Sequence, residues 1–193
     1  MDEEPTDFEL VVAARRGDTT SFGQLLTRHA PRLLSLARQM VGADAAEDVV
    51  QDAMIDAYRG LTGFRGDASV ATWLYRITLN RCLAERRRRK PEIAEAEPID
   101  LLRRWEDPDY SVDPALVAAR RSRAETLRAV LDQLPETYRI ALILHDAQGL
   151  SASELAEAMR VPLGTAKSYI RRGRMALVAL LGEEELDILE EAQ

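Results

Sequence analysis

Cysteine is almost missing from this 193-residue chain: Cys82 stands alone, so no internal disulfide can form. With only His29 and His145 beside it, a structural zinc site lacks a ligand set, and no metal is expected. Aromatic residues make up 5%, and 10 glycines and 8 prolines leave little material for strands and tight hairpins. No stretch is long and apolar enough to span a bilayer, and Met1 is followed by Asp2, Glu3 and Glu4 rather than by basic residues and an apolar run. The expectation is a cytoplasmic chain without membrane insertion. A glycine-rich phosphate loop and a nucleophile paired with a base are also wanting, so neither an enzyme nor a cofactor is expected.

What remains is 46% hydrophobic and rich in Ala, Leu, Arg and Glu, which favours helices with real cores. The net charge of -7 is laid out in blocks. Arg76, Arg81, Arg86, Arg87, Arg88, Arg89 and Lys90 form one basic island, and Arg160, Lys167, Arg171, Arg172 and Arg174 another. Acids fill the stretch from Glu92 to Asp113 and the C-terminus from Glu183 to Glu191. Such sign asymmetry points to DNA contact at the islands, with the acidic segments solvated.

Periodicity organises the chain into an all-α fold of two small domains joined by a flexible acidic linker. Phe22, Leu25, Leu26, His29, Leu33, Leu36, Ala37 and Met40 predict an amphipathic helix over about 18–41, kinked or restarted at Pro31. Asp44 and Glu47 have the spacing of a capping box opening a helix through Tyr58, whose outer face carries Asp48, Gln51, Asp52 and Ile55. Gly60, Gly63 and Gly66 mark a loop, and Ser69 can cap a helix running through Trp73 into the arginine run. This puts the first domain at 1–90 and the linker at 91–113, with helix restarting at Asp113 and Pro114. The second domain, 114–182, holds a helix from Glu136 to about Ala147 and a pair of helices after Ser151 and Leu163. That pair has the dimensions of a helix-turn-helix. Residues 183–193 read as an acidic tail. On the last helix Ala166, Ile170, Gly173 and Leu177 fit a core, while Thr165, Lys167, Ser168, Arg171, Arg172 and Arg174 are candidate DNA contacts. The blander alternative is a solvated basic face.

Several motifs in order resemble a known family. Phe22 with Gln24 and Leu25, Ala46-Glu47-Asp48-Val49-Val50-Gln51-Asp52, Phe64-Arg65-Gly66-Asp67, Thr72-Trp73-Leu74-Tyr75-Arg76-Ile77 and Asn80 resemble the second region of extracytoplasmic-function sigma factors. Leu134-Pro135-Glu136-Thr137-Tyr138-Arg139 and Leu163-Gly164-Thr165-Ala166-Lys167-Ser168 are similar to their fourth region. The resemblance implies an alternative sigma factor that binds core RNA polymerase through the clamp helices of its largest subunit and through the flap, and that directs it to promoter DNA. A stress or envelope response and control by an anti-sigma factor are implied as well. Carried onto this chain, Asp48, Gln51, Asp52 and Ile55 would dock on polymerase. Phe64, Arg65, Gly66, Asp67 and Ala68, with Trp73, Asn80 and Arg81, would read the minus-ten element, the loop enclosing a flipped base. The second basic island would read the minus-thirty-five element.

Two departures stand out. Arg160 occupies a turn position where many relatives carry glycine, and Trp73-Leu74 stands where housekeeping sigma factors have paired tryptophans. The rival reading is a self-sufficient dimeric helix-turn-helix regulator, and a third is an adaptor that never touches DNA.

Overall fold

The computed structural model describes residues 4–89 and 127–190, with side chains as far as residue 180. The chain falls into two compact units, one carried mainly by residues up to Glu92 and the other by those after it. Among the described residues every regular element is helical.

In the first unit α1 spans Asp7–Arg15, α2 Thr19–Val41, α3 Ala43–Gly60 and α4 Val70–Arg89. α1 was not anticipated, although Thr6 and Glu9 carry the capping signal. Thr6 Oγ1 accepts from the Glu9 amide, and the Glu9 carboxylate accepts from the Thr6 amide at 2.8 Å, so two otherwise orphaned donors are satisfied reciprocally. Leu10, Val11 and Ala14 are buried, and each large aliphatic contributes about 1.5–3 kcal/mol by leaving water. Asp18 caps α2 by accepting from the amides of Thr20 and Ser21.

α2 runs without a break through Pro31, which does not restart it as expected. Pro31 and Thr27, whose carbonyl loses its partner, are both solvent-exposed, so water can replace the missing hydrogen bond. The expected Asp44 cap is also corrected: α3 begins at Ala43, two residues earlier than that cap implies, behind Gly42 at φ 89°, with no side-chain cap. Asp44 sits inside the first turn, where its charge complements the helix dipole. Ala45, Ala46, Val49, Val50, Ala53 and Ala57 of α3 are buried with Leu25, Leu33, Leu36 and Met40 of α2, the two helices packing on each other and on α4.

In the second unit a helical stretch covers 127–131, α5 spans Glu136–Leu142 and continues as a π-turn over Ile143–Ala147, α6 spans Ala152–Met159 and α7 Leu163–Glu190. Leu134 and Leu142 join Val130, Leu131, Ala176 and Leu177 in one buried cluster. Gly173 lets α7 approach α5 closely, since a Cβ there would lie 3.1 Å from Leu142 Cγ and 3.3 Å from Tyr138 Cβ. Arg139, only 2% exposed, donates to the carbonyl of Leu131 and to Asp132 Oδ1 at 3.2 Å, which ties α5 back to the preceding helix.

α7 continues through Glu190, so residues 183–190, expected to be a tail, are helical. The linker expected at 91–113 and the helix restart at Asp113 and Pro114 lie outside the described residues.

Candidate polymerase and nucleic-acid interfaces

Three surfaces gather the residues singled out from the sequence. The first is on α3. Asp48, Gln51, Asp52 and Ile55 recur at three- and four-residue steps opposite the buried stripe, and all four are exposed. Ile55 is 48% exposed and Tyr58 46%, so an apolar patch lies beside the carboxylates. That combination suits a partner presenting cations around an apolar contact.

The second surface is the loop between the turn Leu61–Gly63 and α4. Phe64 is folded beneath it at 6% exposure, its ring centroid 5.0 Å from that of Trp73, itself 6% exposed. Both were candidates for touching DNA. Both are buried in the free chain, where their rings pack on each other and join the loop to α4, and Phe64 also lines the recess beside the loop. Arg65, Gly66 and Asp67 are exposed, and Ala68 is half-buried. Gly66 takes φ +80°, a conformation open to glycine at little cost. Ser69 caps α4 as expected, its hydroxyl accepting from the Thr72 amide at 3.0 Å. A recess opens where the loop, Ala68 to Ala71 and the first turn of α1 meet.

Several basic residues of α4 are committed within the first unit. Arg81, expected on DNA, donates from Nε to Asp56 Oδ2 at 2.5 Å and from Nη1 to Asp52 at 3.1 Å, and this hydrogen bond holds the Asp56 carboxyl below its ordinary value. Arg86 donates to the Met40 carbonyl at 2.9 Å, closing the end of α2. Arg88 and Arg89 both reach Glu85, while Asn80 and Arg87 are exposed on α4. Within the arginine run, Arg86, Arg88 and Arg89 thus each have a partner in the first unit.

The third surface is the helix pair α6 and α7. Ser151 and Glu154 form the expected capping box, Ser151 donating to the Glu154 carboxylate at 2.7 Å and receiving the Glu154 amide at 3.2 Å. α6 closes with Val161 N–H donating to the Ala156 carbonyl and Arg160 N–H to that of Glu157, the paired bonds that need a left-handed residue at the turn. Arg160 supplies it at φ 55°, alone among non-glycine residues described. On α7, Ala166, Ile170, Gly173 and Leu177 are buried. Lys167, Arg171 and Arg172 are exposed, with Thr165 and Ser168 half-buried beside them. Arg174 faces elsewhere: its guanidinium grips Asp146 of the π-turn, with Nε 3.0 Å from Oδ2, so it braces α7 against the preceding element.

Cys82 is buried, and burial pushes its thiol up to about 12, as befits an inert core filler. Among the described residues no group of three His, Cys, Asp or Glu side chains is placed to hold a metal ion, and no helix is long and apolar enough to cross a membrane.

A family model described as sigma-70 region 2 matches residues 25–92, and one described as sigma-70, region 4 matches residues 124–177. The chain is 36% identical over 180 residues to the RNA polymerase sigma-H factor of Pseudomonas aeruginosa, covering 89% of this chain and 91% of that protein. It is 36% identical over 187 residues to the ECF RNA polymerase sigma-E factor of Escherichia coli K12, covering 92% and 95% respectively. Its fold is similar to that of the sigma factor RpoE of Bartonella quintana, solved in complex with the anti-sigma factor NepR, with a TM-score of 0.61 at 26% identity over 83% of this chain and 96% of that one.

Proposed function

The chain belongs to the extracytoplasmic-function sigma factors of the sigma-70 family, and from that membership we propose how its three surfaces divide the work of starting transcription. It is an alternative sigma factor: it joins core RNA polymerase and directs it to particular promoters. In this division residues 1–90 act as region 2, 114–182 as region 4, and the acidic linker at 91–113 joins them.

The α3 face of Asp48, Gln51, Asp52 and Ile55 docks on the clamp helices of the largest polymerase subunit, and region 4 rests on the flap. Arg65, Gly66, Asp67 and Ala68, with Asn80 on α4, read the minus-ten element after the duplex opens, one unstacked base entering the recess beside the loop. Phe64 and Trp73 act from below by fixing the loop. Thr165, Lys167, Ser168, Arg171 and Arg172 read the minus-thirty-five element in the major groove, where arginine can pair bidentately with guanine. Arg81 and Arg174 serve as braces.

The observation that carries this reading is the two-sidedness of α7: Lys167, Arg171 and Arg172 are exposed on the side away from Ala166, Ile170 and Leu177, in the first half of the second helix of a helix-turn-helix. Control follows the precedent of the Bartonella sigma factor solved with an anti-sigma factor, in a stress or envelope response. The chain performs no chemistry of its own, since bond formation belongs to core polymerase, and it works in the cytoplasm with that enzyme.

Transcription in vitro with core polymerase and a library of genomic promoters tests the proposal. Transcripts should start from a subset sharing two spaced elements, and only when both proteins are present. A footprint on a palindrome by the chain alone would support the self-sufficient dimeric regulator instead.

A further inference from the structure

Phe8 is the one large aromatic of α1, and at 59% exposure it does not belong to the core that holds that helix. Leu10, Val11 and Ala14 supply the buried face, 2%, 1% and 4% exposed. Phe8 instead lines the recess by the minus-ten loop, together with Phe64, Gly66, Ala68 and Ser69. Its Cε2 would lie 3.7 Å from a Cβ placed on Gly66, so the ring already borders the glycine at its nearest side.

The helix that carries it is pinned at both ends. The capping box of Thr6 and Glu9 fixes the first turn, and Asp7 is held by Arg28 at 2.7 Å and by His29 at 2.6 Å. At the other end Arg15 donates to the carbonyls of Phe64 and Thr62. Helix and loop are therefore one assembly, with an uncovered aromatic face at the recess wall.

We propose that Phe8 is a base-contacting residue of the minus-ten site, its ring stacking on the unstacked base that enters the recess. The occupant is a single nucleobase of opened promoter strand, because the wall offers one exposed ring, Phe64 being buried, and the exposed neighbours Arg65 and Asp67 can meet a base edge or a phosphate. Every base has a π-face, so Phe8 adds capture and lifetime, while the polar groups of the loop set the preference. The inference rests on the loop reading the minus-ten element, as proposed above.

The test uses holoenzyme made from the full chain and a promoter it has selected, with 2-aminopurine scanned through the minus-ten element of the opened strand. Wild type should quench one position. Phe8→Leu keeps an apolar side chain but removes the ring: that position should brighten, and the open complex should dissociate on the order of tenfold faster. Phe8→Trp should restore both, and base preference should stay unchanged in each variant. Wild-type quenching and lifetime in Phe8→Leu would overturn the proposal, as would equal loss in Phe8→Trp. Asp67→Ala run in parallel separates the two levels. If it alters minus-ten preference while Phe8→Leu alters nothing, the role of Phe8 alone is refuted. If neither variant has any effect, the reading of the loop falls with it.

Discussion

The guanidinium of Arg15, at the end of α1, donates to the backbone carbonyl of Phe64 across 3.4 Å and to that of Thr62 across 3.3 Å. Carbonyls at a tight turn have few other partners, and a cation holding two of them fixes the path of the loop that follows. Arg15→Met should keep the aliphatic stem and lose both bonds. Hydrogen exchange at the Phe64 amide and in the residues after it should speed up while α2 and α3 keep their protection. Open complexes should form less readily on the same promoters. Unchanged exchange in the loop would show that the Phe64 and Trp73 anchor suffices alone.

Charge reversal on α3 tests the polymerase face. Asp52 is a poor single probe, because it also meets Arg81 at 3.1 Å, although Asp56 holds that guanidinium more closely. Asp48 is exposed and makes no ion pair with a described residue. Asp48→Arg should weaken co-purification with core enzyme and leave helix content intact. Undiminished core binding would remove this face from the account.

Acid should loosen α1. Burial acts to raise the Asp7 carboxyl, but the hydrogen bonds from Arg28 and His29 outweigh it and hold Asp7 below its ordinary 3.8. A carboxylate depressed in the folded state contributes stability that is present above its unfolded value and is lost as pH falls through the folded one. The urea midpoint of the full chain should therefore fall as pH drops below 3.8, and Asp7→Asn should flatten that part of the dependence. An equal acid slope in both proteins would rule out this pair as a contributor.

The turn between α6 and α7 keeps Arg160 at φ 55°. A non-glycine residue there costs about 1 kcal/mol, so Arg160→Gly should raise the stability of the second unit by roughly that amount. Hydrogen exchange of α6 in the full chain would register it. A decrease would mean that the Arg160 side chain makes a contribution larger than its backbone strain.

Much of this was written in local signals. The stripe from Phe22 to Met40, the Ser151 and Glu154 box, the Ser69 cap and the split of α7 into buried and basic sides follow from side-chain periodicity and short-range hydrogen bonding, and the structure has them. Chain neighbours cannot reveal long-range commitments. Nothing near Arg81 in sequence shows that Asp56 lies across from it on α3, and nothing near Arg174 announces Asp146 on the π-turn. The two arginines therefore looked available. The burial of Phe64 likewise depends on Trp73 from another element. α1 is the opposite case, since Thr6 and Glu9 carried its signal and the acidic start of the chain masked it.

The proposed mechanism has two separate readings of DNA, one by a helix in an intact groove and one by a loop on an opened strand. Promoter selection with holoenzymes carrying Arg171→Ala or Asp67→Ala addresses it most directly. Loss of a good bidentate contact is worth roughly 1–3 kcal/mol of discrimination, so Arg171→Ala should relax preference within the minus-thirty-five element and leave the minus-ten element as it was. Asp67→Ala should do the converse. A shift of minus-ten preference by Arg171→Ala, or of minus-thirty-five preference by Asp67→Ala, would contradict the division of labour.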